Sequence, residues 1–305
     1  MKSPSSAVTI AGLQLKNPVL PASGTYGYGR EYLPFFTPDV VGAVVTKGVS
    51  LEPWPGNPPP RVYETPAGML NAIGLQNPGV EYFIKEALPF LRQYQTPVIV
   101  NVVGKTIAEY VGVVERLNDY AEVSGYELNI SCPNVKEGGI AFGTDPRCAF
   151  EITQAVREAT TKPLIVKLSP NVTDITLIAR QVEAAGADCI SLINTLLGMA
   201  IDIRRKCPVL GNTVGGLSGP AIKPVALRMV WQVYQKVSVP LIGMGGITSA
   251  NDALEFIMAG ASAVAVGSGT FRDPQTPVRI IEGIQSYLEQ TKIDVTELIG
   301  IAHQK

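Results

Sequence analysis

A (β/α)8 TIM barrel with long active-site loops at its C-terminal face is the fold this sequence predicts, and three observations predict it: recurrent apolar runs, the helical patterns between them, and long insertions after strand ends. Eight short apolar runs, most of them rich in Val and Ile, recur along the 305 residues. They are "NPVLPASG" (17–24), "VGAVVTKG" (41–48), "TPVIVNVVG" (96–104), "YELNISC" (126–132), "KPLIVKLSP" (162–170), "DCISLINT" (188–195), "VPLIGMGGI" (239–247) and "ASAVAVGSG" (261–269). The runs are continuous rather than alternating, as parallel strands covered on both faces are. Helical patterns separate several of them, at 107–121, 149–160, 175–186, 222–236 and 250–259. Ser249 with Asp252 reads as the N-terminal cap of the last, and Gly260 as its stop. An open, doubly wound sheet satisfies the same strand count, because counting strands does not prove closure.

Three Pro/Gly-rich insertions break the repeat: 49–80, 133–146 and 207–220. Each follows a strand end, so in a barrel all three crowd the C-terminal face, where loops of this length serve as lids or binding loops. No linker composition divides the chain, and 1–305 reads as one domain.

Apolar residues make up 46% of the chain and charged ones 17%, enough apolar material for a large core and a buried subunit interface. With 25 basic and 26 acidic residues and no basic run, the sequence offers nothing for nucleic acid. "MKSPSSAVTI" lacks the apolar core of a signal peptide, and no apolar stretch approaches the roughly 18 residues of a membrane span. Cys132, Cys148, Cys189 and Cys207 show no CxxC spacing, which argues against a zinc site or iron–sulfur cluster on this chain. A cytoplasmic, reduced protein without membrane contact is expected. The one histidine, His303, reads as a solvated tail residue, so proton chemistry falls to other side chains.

The eight runs end in residues able to bind or react: Ser23, Lys47, Asn101, Asn129 with Cys132, Lys167, Asn194 with Thr195, Gly245 with Gly246, and Gly267 with Ser268. Singly, each has a plain structural explanation in turns and caps. Together they would ring one opening. "GMGGI" and "VGSGT" expose backbone N–H groups that suit a phosphate, whether of a phosphorylated substrate or of flavin mononucleotide (FMN). Lys47 and Lys167 could stabilise negative charge on a flavin or form a Schiff base with a carbonyl substrate. Cys132 stands past the end of its run, where a thiol can act as base or nucleophile or stay inert. Cys189 opens an apolar strand, Cys148 lies in a helix and Cys207 in a loop, and none of these three is expected to react.

"NISCPNV", "NAIGLQNPG", "PASGTYGYG", "VKLSPNVTDI", "GGLSGPAIKP" and "GMGGI…AGASAVAVGSGT" resemble class 1 dihydroorotate dehydrogenase over nearly the whole chain. "CPNVKEGGIAFGTDP" and "LSGPAIKPVAL" resemble its B type rather than the fumarate-using A type. The resemblance implies an FMN barrel that oxidises dihydroorotate to orotate, with Cys132 removing the C5 proton while hydride leaves C6. It implies substrate contacts at Lys47, Asn71, Ala72, Ile73, Gly74, Leu75, Asn129, Asn194 and Thr195. Flavin contacts follow at Ser23, Lys47, Gly48, Asn101, Asn129, Lys167, Ile193 and Gly219, with Gly245, Gly246, Gly267 and Ser268 around the phosphate. Ser268 stands where relatives more often carry threonine, and a hydroxyl survives. A homodimer of this chain is implied as the core of a heterotetramer, with a second subunit carrying FAD and a [2Fe–2S] cluster that passes electrons to NAD. The rival readings are a non-redox phosphate-binding lyase or isomerase and a pyrimidine-reducing flavoenzyme of different substrate.

Overall fold

The computed structural model describes residues 4–130, 136–137 and 140–304. Each of the eight apolar runs supplies a parallel strand: β1 (Val19–Pro21), β2 (Val44–Val45), β3 (Val98–Val102), β4 (Val123–Asn129), β5 (Leu164–Leu168), β6 (Cys189–Leu192), β7 (Leu241–Met244) and β8 (Ala263–Val266). They form one sheet in the order β1-β8-β7-β6-β5-β4-β3-β2. β3, β5, β6, β7 and β8 are buried at every position, which is why their sequences run apolar without alternation.

Whether the sheet is open or closed is decided at its two ends. Gly42 N–H donates to the Val19 carbonyl at 2.9 Å, joining the segment that enters β2 to β1. A Cβ on Gly42 would lie 2.1 Å from the Asn17 carbonyl oxygen, so only glycine permits this approach. The buried Asn17 side chain clasps both sides of the seam, accepting from Val19 N–H at 3.1 Å and donating to the Val40 carbonyl at 2.9 Å. The ring is closed, and the open-sheet alternative falls.

The predicted helices are present as α1 (Ile107–Leu117), α2 (Pro146–Ala159), α3 (Ile175–Ala184), α4 (Lys223–Tyr234) and α5 (Ala250–Met258). Thr106, Asp145 and Asp174 each accept a backbone N–H of the first turn, and Ser249 with Asp252 forms a reciprocal capping box. Two helical segments longer than a single turn escaped the pattern reading. Residues 79–91 pack between β2 and β3, and α6 (Thr276–Thr291) follows β8. Between β1 and β2 there is no α-helix, only short 3-10 turns at Arg30–Tyr32 and Pro38–Val40, because Gly27, Gly29, Pro34 and Pro38 interrupt any longer run.

The first and third insertions are more ordered than lids. Strand Val62–Thr65 pairs with Gly68–Asn71, both from the first; Gly68–Asn71 pairs in turn with Gly215–Ser218, from the third, which pairs with Leu196–Gly198. The result is a four-stranded antiparallel sheet beside the barrel mouth. Cys207 belongs to a two-residue strand paired with Ile201–Asp202 rather than to plain loop, and it is exposed.

His303 corrects the expectation of a solvated tail. Its ring stacks on Trp231 with centroids 3.5 Å apart, and its Nε2 lies 3.0 Å from the Ala259 carbonyl. Both contacts are remote in sequence, so nothing near the terminus announced them.

Gly42→Ala is expected to lower unfolding free energy by about 3 kcal/mol, the upper range for overpacking a closed contact, read from the denaturant midpoint. An alanine variant within 0.5 kcal/mol of the parent, by that rough scale, would mean the seam yields without cost.

Candidate active site

The C-terminal ends of the eight strands and the second sheet enclose a cavity of ≈ 520 Å³, within the range of cofactor sites. Its wall includes Ser23, Lys47, Gly48, Asn101, Asn129, Lys167, Ile193, Asn194, Thr195, Gly219, Gly245, Gly246, Gly267 and Ser268, and the whole segment Asn71 to Leu75. Every candidate residue that the structure describes is therefore in one place. Cys132 lies outside the described residues. The wall also includes residues that strand-end reasoning missed, among them Arg61, Met69, Asn171, Thr248 and Phe271. Arg61 was the findable one, a lone cation directly after "NPPP" in the first insertion.

The cavity has two unlike ends. Around β7 and β8 the wall is backbone. Gly246 has φ +77°, and a Cβ there would sit 2.8 Å from the Gly219 carbonyl and 2.9 Å from Lys223 N, so the loops after β7 and before α4 are packed backbone to backbone. A Cβ at Gly267 would meet only Ala22 Cβ, at 3.7 Å. Asp252 fastens the loop after β7, accepting from Thr248 N–H and Ser249 N–H at 2.9 Å each and from Lys223 Nζ at 2.7 Å. Burial alone would raise the Asp252 pKa. The hydrogen bonds from Lys223, Thr248 and Ser249 outweigh burial and hold the carboxyl at about 2.

The other end is built of amides and cations. Asn194 Nδ2 donates to Asn129 Oδ1 at 3.2 Å, and Asn194 Oδ1 accepts from Thr195 N–H at 2.8 Å. Asn71 donates to the Gly216 carbonyl at 3.3 Å. The 71–75 segment is pinned from outside: Asn57 Nδ2 donates to the Ala72 carbonyl and Asn77 Nδ2 to the Leu75 carbonyl. Lys167 is 6% exposed, and its Nζ reaches Ser23 Oγ at 3.5 Å. Lys47 is held by its backbone N–H on the Gly27 carbonyl at 2.8 Å. Burial pulls its ammonium below the ordinary lysine value; nearby Arg61 adds to this and Glu31 opposes it. Such a site favours an anion with a planar array of N–H and C=O groups.

The family model described as "Dihydroorotate dehydrogenase" matches residues 5–288. The chain belongs to the dihydroorotate dehydrogenase family. It is thus an oxidoreductase of the family that its strand-end motifs resemble. A relative from Geotalea uraniireducens (strain Rf4), named "Dihydroorotate dehydrogenase B (NAD(+)), catalytic subunit", is 59% identical over 98% of this chain and 99% of its own length. One from Alkaliphilus oremlandii (strain OhILAs) with the same name is 60% identical over 96% of this chain and 97% of its own. The dihydroorotate dehydrogenase family resemblance therefore extends to the B-type catalytic subunits.

The depressed Lys47 pKa makes a signed prediction. Its charged form is disfavoured in the native state, so the cost is fully present below the folded pKa and disappears as pH rises through it towards the unfolded value of 10.5. Lys47→Met should raise the unfolding midpoint of ligand-free protein at neutral pH, with the advantage closing as pH climbs towards 10.5. Thermal unfolding across pH checks this; an advantage that is constant with pH would reject the charge explanation.

Proposed function

We propose that this chain is the FMN-binding catalytic subunit of a B-type dihydroorotate dehydrogenase, oxidising (S)-dihydroorotate to orotate in de novo pyrimidine synthesis. The observation that carries the reading is one cavity joining a glycine-lined end to an end of asparagines and lysines. The first suits a phosphate and the second a carboxylated pyrimidine.

The residues present fit FMN. The open space at Gly267 and the backbone wall at Gly245 and Gly246 leave room and N–H donors for its phosphate, with Ser268 alongside. Ser23, Lys47, Gly48, Asn101, Asn129, Lys167, Ile193 and Gly219 line the rest of its place. When bound, FMN supplies the hydride acceptor for the substrate C6 hydrogen. Lys47 attracts the substrate carboxylate, while Asn71, Asn129, Asn194 and Thr195 pair with ring N–H and C=O groups, and Ala72 to Leu75 shape the floor. Lys167 stabilises negative charge that develops in the cavity.

Cys132 takes the C5 proton. Three observations support it: no histidine precedes position 303, Asn129 lines the cavity, and Cys132 follows Asn129 by three residues in the sequence. The name of the relatives favours NAD over fumarate as final acceptor and, as a catalytic subunit, a partner; in this reading the partner carries FAD and [2Fe–2S]. A homodimer core accords with the exposed apolar stretch of Leu197, Met199, Ile201 and Ile203, the last 84% exposed. Cytoplasmic placement accords with the described helices, none of which is long and apolar enough to cross a membrane.

Rapid mixing of dihydroorotate with FMN-loaded protein under anaerobic conditions tests the reading. Wild type should bleach its flavin, and Cys132→Ala should keep the flavin but reduce it ~10²–10⁴-fold more slowly. Near-wild-type reduction in the alanine variant would remove Cys132 as the base. Gly267→Val should weaken FMN at least about tenfold without lowering the unfolding midpoint, whereas Gly246→Val should lower the midpoint through its clash with Gly219 and Lys223. Unchanged FMN affinity in Gly267→Val would displace the phosphate from this end.

A further inference from the structure

An acidic residue sits inside the apolar run of β4, and the proposed chemistry does not use it. Glu127 is 2% exposed. A buried carboxylate is costly unless its oxygens are hydrogen-bonded, and both are. Oε1 accepts from Asn101 Nδ2 at 2.6 Å, and Oε2 accepts from Ser191 Oγ at 2.8 Å. Asn101 pairs with Glu127 in register across β3 and β4, but Ser191 lies on β6, with β5 between. The carboxylate therefore bridges through the barrel interior, beneath the cavity floor.

The consequence falls on Asn101. Its amide has one donating end and one accepting end. With Nδ2 held by the carboxylate, the carbonyl must face the other way; the reversed amide would set two acceptor oxygens 2.6 Å apart. Asn101 Oδ1 lies beside Gly48, 3.3 Å from where a Cβ would stand, and both residues line the cavity.

We propose that Glu127 is a positioning residue: by fixing the Asn101 amide, it makes the cavity wall present a permanent hydrogen-bond acceptor to a ring N–H of the flavin. Ser191 satisfies the second oxygen, while either carboxylate oxygen can accept from Asn101 Nδ2. The inference rests on the FMN reading of the cavity. The oxidised isoalloxazine ring carries a single N–H, at N3, so a dedicated acceptor distinguishes FMN from 3-methyl-FMN.

The test titrates flavin-free wild type, Glu127→Gln and Ser191→Ala with FMN and with 3-methyl-FMN, following flavin fluorescence. Wild type should prefer FMN by about tenfold, the scale of one hydrogen bond left unmade in a buried site. In Glu127→Gln the new amide can accept from or donate to Asn101, so both orientations become available and the preference should fall to about threefold or less. Ser191→Ala should keep the wild-type preference. A Glu127 that only braced the barrel would lower the unfolding midpoint of Glu127→Gln and leave the preference unchanged, and that result overturns the proposal. Should Glu127→Gln not fold, the triple variant Glu127→Leu/Asn101→Leu/Ser191→Ala removes all three partners without leaving an orphan; it must lose the preference, and retention overturns the proposal. Wild type that binds neither flavin would instead overturn the FMN reading itself.

Discussion

The hydrogen bond from Gly42 N–H to the Val19 carbonyl, 2.9 Å long, joins the two ends of an eight-stranded sheet, and the site exists because that bond can form. β2 contributes only Val44 and Val45 to the sheet, so it has little pairing of its own to hold it in place. Once the seam closes, Lys47 and Gly48 are carried to the mouth a few residues later, opposite Lys167 and Asn194 from the far side of the ring. An open sheet would spread these residues along an edge, where no single ligand could touch them all.

The buried charges follow from the same closure. Lys167 and Glu127 both point into the ring from neighbouring strands, at positions two residues apart in register. Each would be expensive in an apolar core. The interior accepts them because its upper layer is polar, with Asn101, Asn129 and Ser191 supplying hydrogen-bonding groups in place of water. Two further cations line the cavity: Lys47, whose ammonium burial and Arg61 depress against the pull of Glu31, and Arg61 itself, which donates to Gln76 at 2.8 Å.

What the sequence disclosed, and what it withheld, divides along physical lines. The strands were legible because burial on both faces demands continuous apolar runs, and the helices between β3 and β8 because their caps and periodicity are local. The site positions were legible as a set because a polar residue at the end of an apolar strand has few structural reasons to recur. Closure was not legible, since Gly42 looks like any turn glycine until the Asn17 carbonyl is seen 2.1 Å from its missing side chain. The second sheet was hidden too. Its strands, such as "VYET" and "GMLN", are short, sit among prolines and glycines, and pair across some 145 residues of chain between Asn71 and Gly216. His303 was misjudged for the same reason, its stacking partner Trp231 being far away in sequence.

The long-range pairing that hid the second sheet also links the two walls. Gly68–Asn71 bonds to Gly215–Ser218, and that strand to Leu196–Gly198, which follows directly from Thr195 at the end of β6. The first and third insertions are therefore welded into one body, joined to the barrel after β2, where Val49 bonds to Asn101 and Val103, and after β6 through Leu196. The phosphate-suited end of the cavity belongs to β7 and β8, with Gly246 packed on Gly219 and Asp252 tying the loop to α4. The 71–75 segment belongs to the welded insertions and is fastened by Asn57 and Asn77, neither of which lies on a barrel strand. Gly219, at the end of the third insertion, packs on both Gly68 and Gly246, so that insertion reaches the glycine-lined end as well as the amide-lined wall, and Asn129 and Asn194, bonded to each other at 3.2 Å, stand where the two walls meet.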